Sequence, residues 1–187
     1  MKSIKMIFVV LGAALICAGC VPSLHPFFAE ENIVFNDALL GAWISDSGAK
    51  CLFTKSDENY YEFSYIDKTP AQFEARLIEL GGVKFLDLYP QPPDNDNGLY
   101  LASLVPAHTL ARVTIGEDSI SIALMDDDWL RRLSDRNDLN LAHERLADRS
   151  IVLTAPTREL QAFVLSNANG KEAFGDAEVF HRLRPAR

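Results

Sequence analysis

Short segments in which apolar and polar residues alternate follow one another through the middle of the chain, and this pattern constrains the fold more than any other feature. The segments are rich in β-branched and aromatic residues, which favour strands. They occupy residues 50–54, 60–66, 73–80, 83–89, 99–105, 110–115 and 119–124. Successive strands joined by short connections usually pair with each other. The sequence therefore predicts an antiparallel meander that forms a closed or nearly closed sheet.

The connections and the ends of this meander carry their own signals. Gly81 and Gly82 mark a tight hairpin turn, and residues 90–98, with three prolines, are predicted to form a loop. Asp37 is placed to cap a short helical turn that leads into a first strand near residue 41. Residues 178–183 alternate again, and we predict that they form the last strand and close the sheet.

The last third of the chain is predicted to be partly helical. Residues 126–133 begin with three aspartates and carry two arginines near their end, which suits a helix dipole. Thr157 is placed to cap a second helix, in which Leu160, Phe163 and Val164 share one face. The fold class predicted is α+β, mainly β, with a lipocalin-like closed or nearly closed sheet and two or three helices in the C-terminal third.

The amino-terminal segment has the layout of a secretory signal peptide. Lys2 and Lys5 precede an uncharged apolar run that breaks at Pro22. A membrane-spanning helix needs roughly 20 apolar residues, so the run is short for a permanent span. We predict that residues 1–19 are removed, that residues 20–36 form a tether, and that residues 37–187 form one globular domain.

The end of this segment, Cys-Ala-Gly-Cys at residues 17–20, resembles the lipobox of bacterial lipoproteins. Ala18 and Gly19 match its small positions, whereas Cys17 stands where Leu or a similar aliphatic residue is usual. The resemblance implies cleavage before Cys20 and lipid on its thiol, which holds the protein to a membrane of the bacterial cell envelope. Val21 follows where Asp would signal retention in the inner membrane of enteric-type bacteria. We therefore predict the outer membrane, facing the periplasm.

Charge and cysteine content limit how the mature chain can bind a membrane or nucleic acid and whether it can form a disulfide. Loss of residues 1–19 removes two lysines and no acid, so the net charge changes from −8 to −10. Such an acidic protein is a poor ligand for nucleic acid or anionic headgroups, so lipid on Cys20 must supply the membrane affinity. Cys51 is then the one remaining cysteine. No intramolecular disulfide can form, and Cys51 is predicted to be a buried, inert side chain.

Candidate catalytic and metal-binding residues have structural interpretations that fit their spacing better. The aspartates at 126–128 suit helix capping, and residues 94–98 lack the Glu that completes a calcium loop. His143 and Glu144 lack a second histidine at position 147, and His25, His108 and His181 are far apart in the chain. We predict no catalytic residues, no metal and no cofactor.

Two family resemblances follow from short motifs. Gly41 and Trp43 resemble the G-x-W signature that begins lipocalin barrels, which implies a Trp packed across one end of the barrel. The chain also resembles a group of uncharacterised bacterial lipoproteins that share five motifs. These are Ser-Leu-His-Pro-Phe at 23–27, Leu-Gly-Ala-Trp at 40–43, Phe-Leu-Asp at 85–87, Leu-Thr-Ala at 153–155 and Leu-Gln-Ala-Phe at 160–163.

These observations leave three functional hypotheses. The first is a non-enzymatic envelope lipoprotein that binds a protein partner or serves as a scaffold at the membrane surface. The second is a lipocalin-like carrier of a small apolar ligand. The third is a hydrolase whose site is dispersed along the chain. A filled barrel with an exposed apolar patch would favour the first, an apolar interior pocket the second, and clustered His and Asp in a cleft the third.

Overall fold

The computed structural model describes residues 20–56 and 59–184, so the predicted signal peptide at residues 1–19 lies outside the described residues. Eight antiparallel strands form a closed barrel in the order β2-β3-β4-β5-β6-β7-β8-β11, and β11 pairs with both β8 and β2. The predicted closed meander is therefore confirmed. Its strands are β2 Gly41–Ser45, β3 Lys50–Lys55, β4 Tyr61–Ile66, β5 Pro70–Leu80, β6 Val83–Pro90, β7 His108–Ile115, β8 Ser119–Leu124 and β11 Glu178–Arg182.

Strands β2, β4, β6 and β8 run toward one end of the barrel, here called the upper end, and the other four run back to the lower end. The predicted hairpin turn at Gly81 and Gly82 joins β5 to β6 at the lower end. Both residues have positive φ, 58° and 80°, as a two-residue turn between antiparallel strands requires.

The chain between β8 and β11 forms a separate layer on the outside of the barrel. It contains helix α2 (Asp127–Asp135), strands β9 (His143–Arg145) and β10 (Ile151–Leu153), and helix α3 (Thr157–Asn167). Strand β10 pairs with β9 and with β1 (Pro22–Ser23), and β1 pairs with the start of β7. The two helices predicted in the C-terminal third are therefore confirmed.

Alternation along the strands produces two hydrophobic cores on opposite sides of the barrel wall. In β6, Leu86 and Leu88 belong to the inner core, whereas Phe85 belongs to an outer core that packs under α2 and α3. The outer core covers β5, β6, β7 and β8 through Ile78, Phe85, Leu110 and Ala123. One half of the barrel wall is thus buried on both faces.

One predicted strand is wrong. Residues 99–105 were expected to be a strand, but Gly98–Ser103 form helix α1, and the Asn97 side chain caps it by accepting a hydrogen bond from Tyr100 N at 3.0 Å. Strands β6 and β7 pair directly with each other from Phe85↔Arg112 to Leu88↔Thr109. The residues between them therefore have no place in the sheet.

Two predicted helix caps are also wrong. Asn36, and not Asp37, caps the 3-10 helix Asp37–Leu39, since its side chain accepts a hydrogen bond from Ala38 N at 3.0 Å. Thr157 is the first residue of α3 and its hydroxyl does not cap the helix. It donates instead to the carbonyl of Pro26, 131 residues away in the chain. The Thr157 hydroxyl therefore bonds to the distant Pro26 carbonyl and not to a backbone N–H in the first turn of α3.

Candidate functional site

The predicted tether packs against the barrel immediately after Cys20. Cys20 itself is exposed, and its backbone forms an isolated antiparallel β-bridge with Asp126 at the start of α2. Val21 and Phe27 are fully buried in the outer core. The tether then crosses the outside of the barrel, where Ile33 forms a bridge with Ile78 of β5, and reaches the lower end. The chain that follows Cys20 is therefore part of the folded body.

A buried carboxylate holds the middle of the tether. Asp87 of β6 is 2 % exposed, and its Oδ2 accepts a hydrogen bond from Phe27 N at 2.6 Å. Its Oδ1 lies 2.7 Å from Nδ1 of His108, the first residue of β7. Both carboxylate oxygens are satisfied, as a buried charged group requires. Asp87 thus joins the tether to two adjacent strands.

Helix α3 holds the tether from the other side. Thr157 Oγ1 donates to the Pro26 carbonyl at 2.8 Å. The Gln161 side-chain amide donates to the Phe27 carbonyl at 2.9 Å and to the Asn32 side chain at 2.8 Å. The carbonyls of residues 26 and 27 are therefore both satisfied by side chains of α3.

Four of the five short motifs named in the sequence analysis meet at the tether. Ser23 pairs with Leu153 of β10, and Leu24 N donates to the Leu153 carbonyl at 2.9 Å. The motif at 85–87 supplies Asp87, and the motif at 160–163 supplies Gln161. Motifs that are far apart in the sequence thus share one physical task, which is to fix residues 23–32 on the barrel. The sequence alone offered no signal for this convergence beyond the motifs themselves.

Aromatic and cationic side chains surround this buried carboxylate. The His108 ring lies 4.7 Å from the Tyr89 ring and 6.2 Å from the Phe28 ring, between centroids. The Arg76 guanidinium lies 4.6 Å from the centre of Phe28 and also pairs with Glu74. Sequence reasoning missed Arg76 and Asp87 and gave His108 no function, because their partners come from separate strands.

Trp43 is the third residue of β2, near the lower end of the barrel, and its predicted burial is confirmed. It is fully buried in the inner core, and its indole N–H donates to the Leu39 carbonyl at 3.0 Å. Gly41 has φ of 116°, and a Cβ there would lie 3.3 Å from the Arg182 guanidinium. Glycine is therefore needed at 41 both for its backbone angle and for the approach of Arg182.

Large side chains occupy the barrel interior. Trp43, Phe53, Tyr61 and Phe180 from four strands are each buried to 1 % exposure or less and belong to the same inner core. The Tyr61 hydroxyl donates to the Asn36 carbonyl at 3.1 Å and accepts from Asn36 N at 2.7 Å. Burial raises the pKa of Tyr61. The residues that would line a carrier's pocket therefore pack against one another.

Cys51 lies in the same inner core and is 1 % exposed, so its predicted burial is confirmed. Burial, with a smaller contribution from the charge of Glu178, raises the pKa of the thiol from 9.0 to about 12. Nucleophilic chemistry requires the thiolate. At neutral pH this cysteine is held in its unreactive thiol form.

Each of the two candidate metal-binding segments supplies one helix cap, Asp126 for α2 and Asn97 for α1. Asp126 accepts a hydrogen bond from Trp129 N at 2.5 Å and so caps α2, as predicted. Burial raises the pKa of Asp127, while Arg131, 3.0 Å away, opposes that rise. The predicted loop at residues 94–98 is exposed and ends in the cap of α1. Within residues 20–56 and 59–184, no three His, Cys, Asp or Glu side chains form a group that could hold a metal ion.

The four histidines lie in separate places. His25 and His181 are exposed. His108 pairs with Asp87, whereas His143 lies 3.1 Å from the Ser134 hydroxyl through Nε2 and 2.8 Å from the Leu141 carbonyl through Nδ1. The histidine that contacts a carboxylate is thus not the one that contacts a serine.

The half of the barrel formed by β11, β2, β3 and β4, here called the bare wall, presents apolar side chains outward. Leu52 is 40 % exposed and Val179 is 45 % exposed. Cross-strand pairing places Leu52 beside Ala42, and the chain continues past β11 so that Leu183 N donates to the Ala42 carbonyl. A shallow cleft of about 340 Å³ lies on this wall, and its lining includes Leu52, Thr54, Glu62, Ser64 and Gln72.

Comparisons of the chain with models of known families, with characterised proteins and with solved structures returned no match. Among the helices of the described residues, none is long and apolar enough to span a membrane. The barrel is compatible with a lipocalin-like binding module.

Proposed function

We propose that this protein is an envelope lipoprotein, anchored by lipid on Cys20, that acts as a non-enzymatic binding module. The observation that carries the proposal is the division of the barrel wall into two halves. The tether and the α2–α3 layer cover β5 to β8, while the bare wall carries exposed apolar side chains. The covered half lies toward the anchor, and the bare wall is directed toward a partner.

The position of Cys20 supports the anchor. The residue is exposed, whereas Val21 beside it is fully buried. A thiol at this position is accessible to a lipid-transferring enzyme and then joins lipid to a folded body. Each buried methylene contributes about 0.8 kcal/mol, and stable anchoring takes about two acyl chains. Lipid on Cys20, placed in the outer membrane and facing the periplasm, would suffice without a basic surface.

The bare wall supports the partner-binding part of the proposal. Ile44, Lys50 and Ile66 are cross-strand neighbours on its outer face, next to the row of Ala42 and Leu52. Contiguous exposed apolar side chains bordered by polar ones are typical of protein interfaces. Because the side chains of the inner core pack against one another, we assign the partner's contacts to the outer face.

The second candidate, a carrier of a small apolar ligand, rests on the closed barrel and on the position of Trp43. It requires the packed inner core to open by about the volume of a ligand, at the cost of the contacts among Phe53, Tyr61 and Phe63. Saturable binding of an apolar fluorophore, lost in a Phe53→Trp variant that retains the wild-type melting temperature, would favour the carrier over the binding module.

Substitution of Cys20 by Ala tests the anchor. We expect wild-type cells to incorporate labelled palmitate into the protein and the variant to lose the label and remain unprocessed or soluble. Cys51→Ala is the matched control, because it removes the other cysteine of the predicted mature chain and should keep the label. Retained label in the Cys20→Ala variant would overturn the anchor.

Photo-crosslinking in cells tests the bare wall. A photoreactive residue at position 52 should give a product of one defined mass, and Val179→Asp with Ile66→Asp on the same wall should abolish it. A photoreactive residue at Lys171 is the control, because that residue is exposed and lies outside the bare wall. Crosslinking that is equal at both positions, or insensitive to the second-site changes, would contradict a specific interface.

A further inference from the structure

The long connection between β6 and β7, residues 91–107, exposes apolar side chains in helix α1 and in the two residues that follow it. Leu99 is 84 % exposed and Val105 is 73 % exposed, and Tyr100 and Leu104 are also exposed. No residue of α1 is buried. Residues 98–107 contain no charged side chain. Residues 98–107, here called the apolar loop, therefore present an uncharged surface to their surroundings.

The barrel itself does not explain the apolar loop. A two-residue turn would suffice to join two paired antiparallel strands, and structureless connections longer than about 12 residues usually have a function of their own. The cap from Asn97 orders the start of the helix although none of its residues is buried. Transfer of exposed Leu and Val side chains out of water is favourable. The loop is therefore suited to an apolar medium outside the protein.

Backbone pairing places the end of the apolar loop at the same end of the barrel as the chain that follows Cys20. The loop ends at His108, which pairs with Ser23, and Ser23 is three residues after Cys20. Both segments lie at the upper end of the barrel, where β6 ends and β7 begins. The burial of Val21 prevents the chain after Cys20 from acting as a long flexible linker. Lipid on Cys20 would therefore draw the upper end of the barrel against the bilayer.

We propose that the apolar loop inserts into the interfacial region of the same membrane leaflet that holds the lipid on Cys20. This proposal rests on the anchor proposed above. Leu99, Leu104 and Val105 contact the acyl chain boundary, and Tyr100 lies at headgroup depth, where its ring and hydroxyl are both accommodated. Lipid and loop together form two contacts with the membrane at the upper end, which fix the orientation of the barrel and leave the bare wall accessible at its side.

Depth-dependent quenching on the acylated mature protein, residues 20–187, tests the insertion. Leu99→Cys and Val105→Cys variants are labelled with an environment-sensitive fluorophore and reconstituted in vesicles of phosphatidylcholine and phosphatidylethanolamine that contain a spin-labelled lipid. Labelling is selective because acylated Cys20 has no thiol and Cys51 is buried with a raised pKa. Leu165→Cys is the matched control, since Leu165 is 47 % exposed and contacts the β5–β6 turn at the lower end.

We expect severalfold stronger quenching by the spin-labelled lipid at residues 99 and 105 than at residue 165, together with protection from aqueous iodide. Acylated protein that floats with the vesicles but shows equal quenching at residues 99 and 165 would overturn the loop insertion and leave the anchor intact. A label at residue 99 that both quenchers fail to reach would indicate a protein partner on the loop and also overturn it. Absence of acyl mass on Cys20 would overturn the anchor and this proposal together.

Discussion

The guanidinium carbon of Arg182 lies 4.0 Å from the centre of the Trp43 ring. The same guanidinium donates to the Leu40 carbonyl at 2.9 Å and to the Ala38 carbonyl at 2.7 Å. Arg182 is in the last strand and Trp43 is in the first strand of the barrel, and the two residues are cross-strand partners. This contact therefore joins the beginning and the end of the barrel at its lower end.

Replacement of Trp43 by Ala should destabilise the protein by about 3–5 kcal/mol, the usual cost of removing a buried Trp. The indole is fully buried and its N–H is bonded to the Leu39 carbonyl. Urea denaturation measures the loss. In a Trp129→Phe background, the fluorescence of Trp43 should also resist quenching by iodide, and efficient quenching would show that the ring is accessible to water.

Replacement of Arg182 by Gln should cost about 1–3 kcal/mol, because it removes a cation–π contact and two hydrogen bonds from a charged donor. Arg184→Gln is the matched control. Arg184 pairs with Asp118 on the exposed surface, where an ion pair contributes little to stability. Equal losses in thermal or urea denaturation for the two variants would contradict a closing function for Arg182.

Replacement of Asp87 by Asn should loosen the tether more than the barrel. Both oxygens of Asp87 have a partner, Phe27 N for Oδ2 and His108 Nδ1 for Oδ1. In the Asp87→Asn variant an NH₂ group takes the place of one of these oxygens and faces a group that now donates to it. A mismatched buried hydrogen bond of this kind costs about 1–3 kcal/mol. Hydrogen exchange should accelerate at Phe27 and Phe28 while the amides of β3 and β4 stay protected. Glu62→Gln, on the exposed face of β4, is the control and should leave exchange in the tether unchanged.

The raised pKa of Cys51 predicts a loss of stability in alkaline solution. Between pH 9 and about 12 the unfolded chain ionises its thiol while the folded chain keeps the proton. Because the folded state then binds more protons, its stability falls as pH rises, by up to about 1.4 kcal/mol per pH unit from this group. The urea midpoint should fall less between pH 8 and pH 10 in the Cys51→Ala variant than in the wild type. Identical pH slopes for the two proteins would contradict the raised pKa of Cys51.

Much of the barrel could be predicted because its signals are local. Alternation in β3 and β4, the Gly81–Gly82 turn and the burial of Trp43 and Cys51 each depend on a few neighbouring residues. A polar residue next to an apolar one defines which face of a strand is buried, whatever the partner strand is. The acidic cap of α2 belongs to the same class, because the capped N–H lies three residues away.

The surfaces on which the proposals rest depend on contacts that only closure of the barrel creates. Phe27 and Asp87 are 60 residues apart, and Arg182 and Leu40 are 142 residues apart. The tether docking, the separation of a covered half from the bare wall, and the position of the apolar loop at the same end of the barrel as the chain that follows Cys20 all follow from such pairings. The sequence by itself determined most strands of the barrel, the Gly81–Gly82 turn and the burial of Trp43 and Cys51. Only the tertiary structure decided which polar groups meet and which apolar groups stay in water, because these outcomes depend on strand order and register, which local patterns leave open.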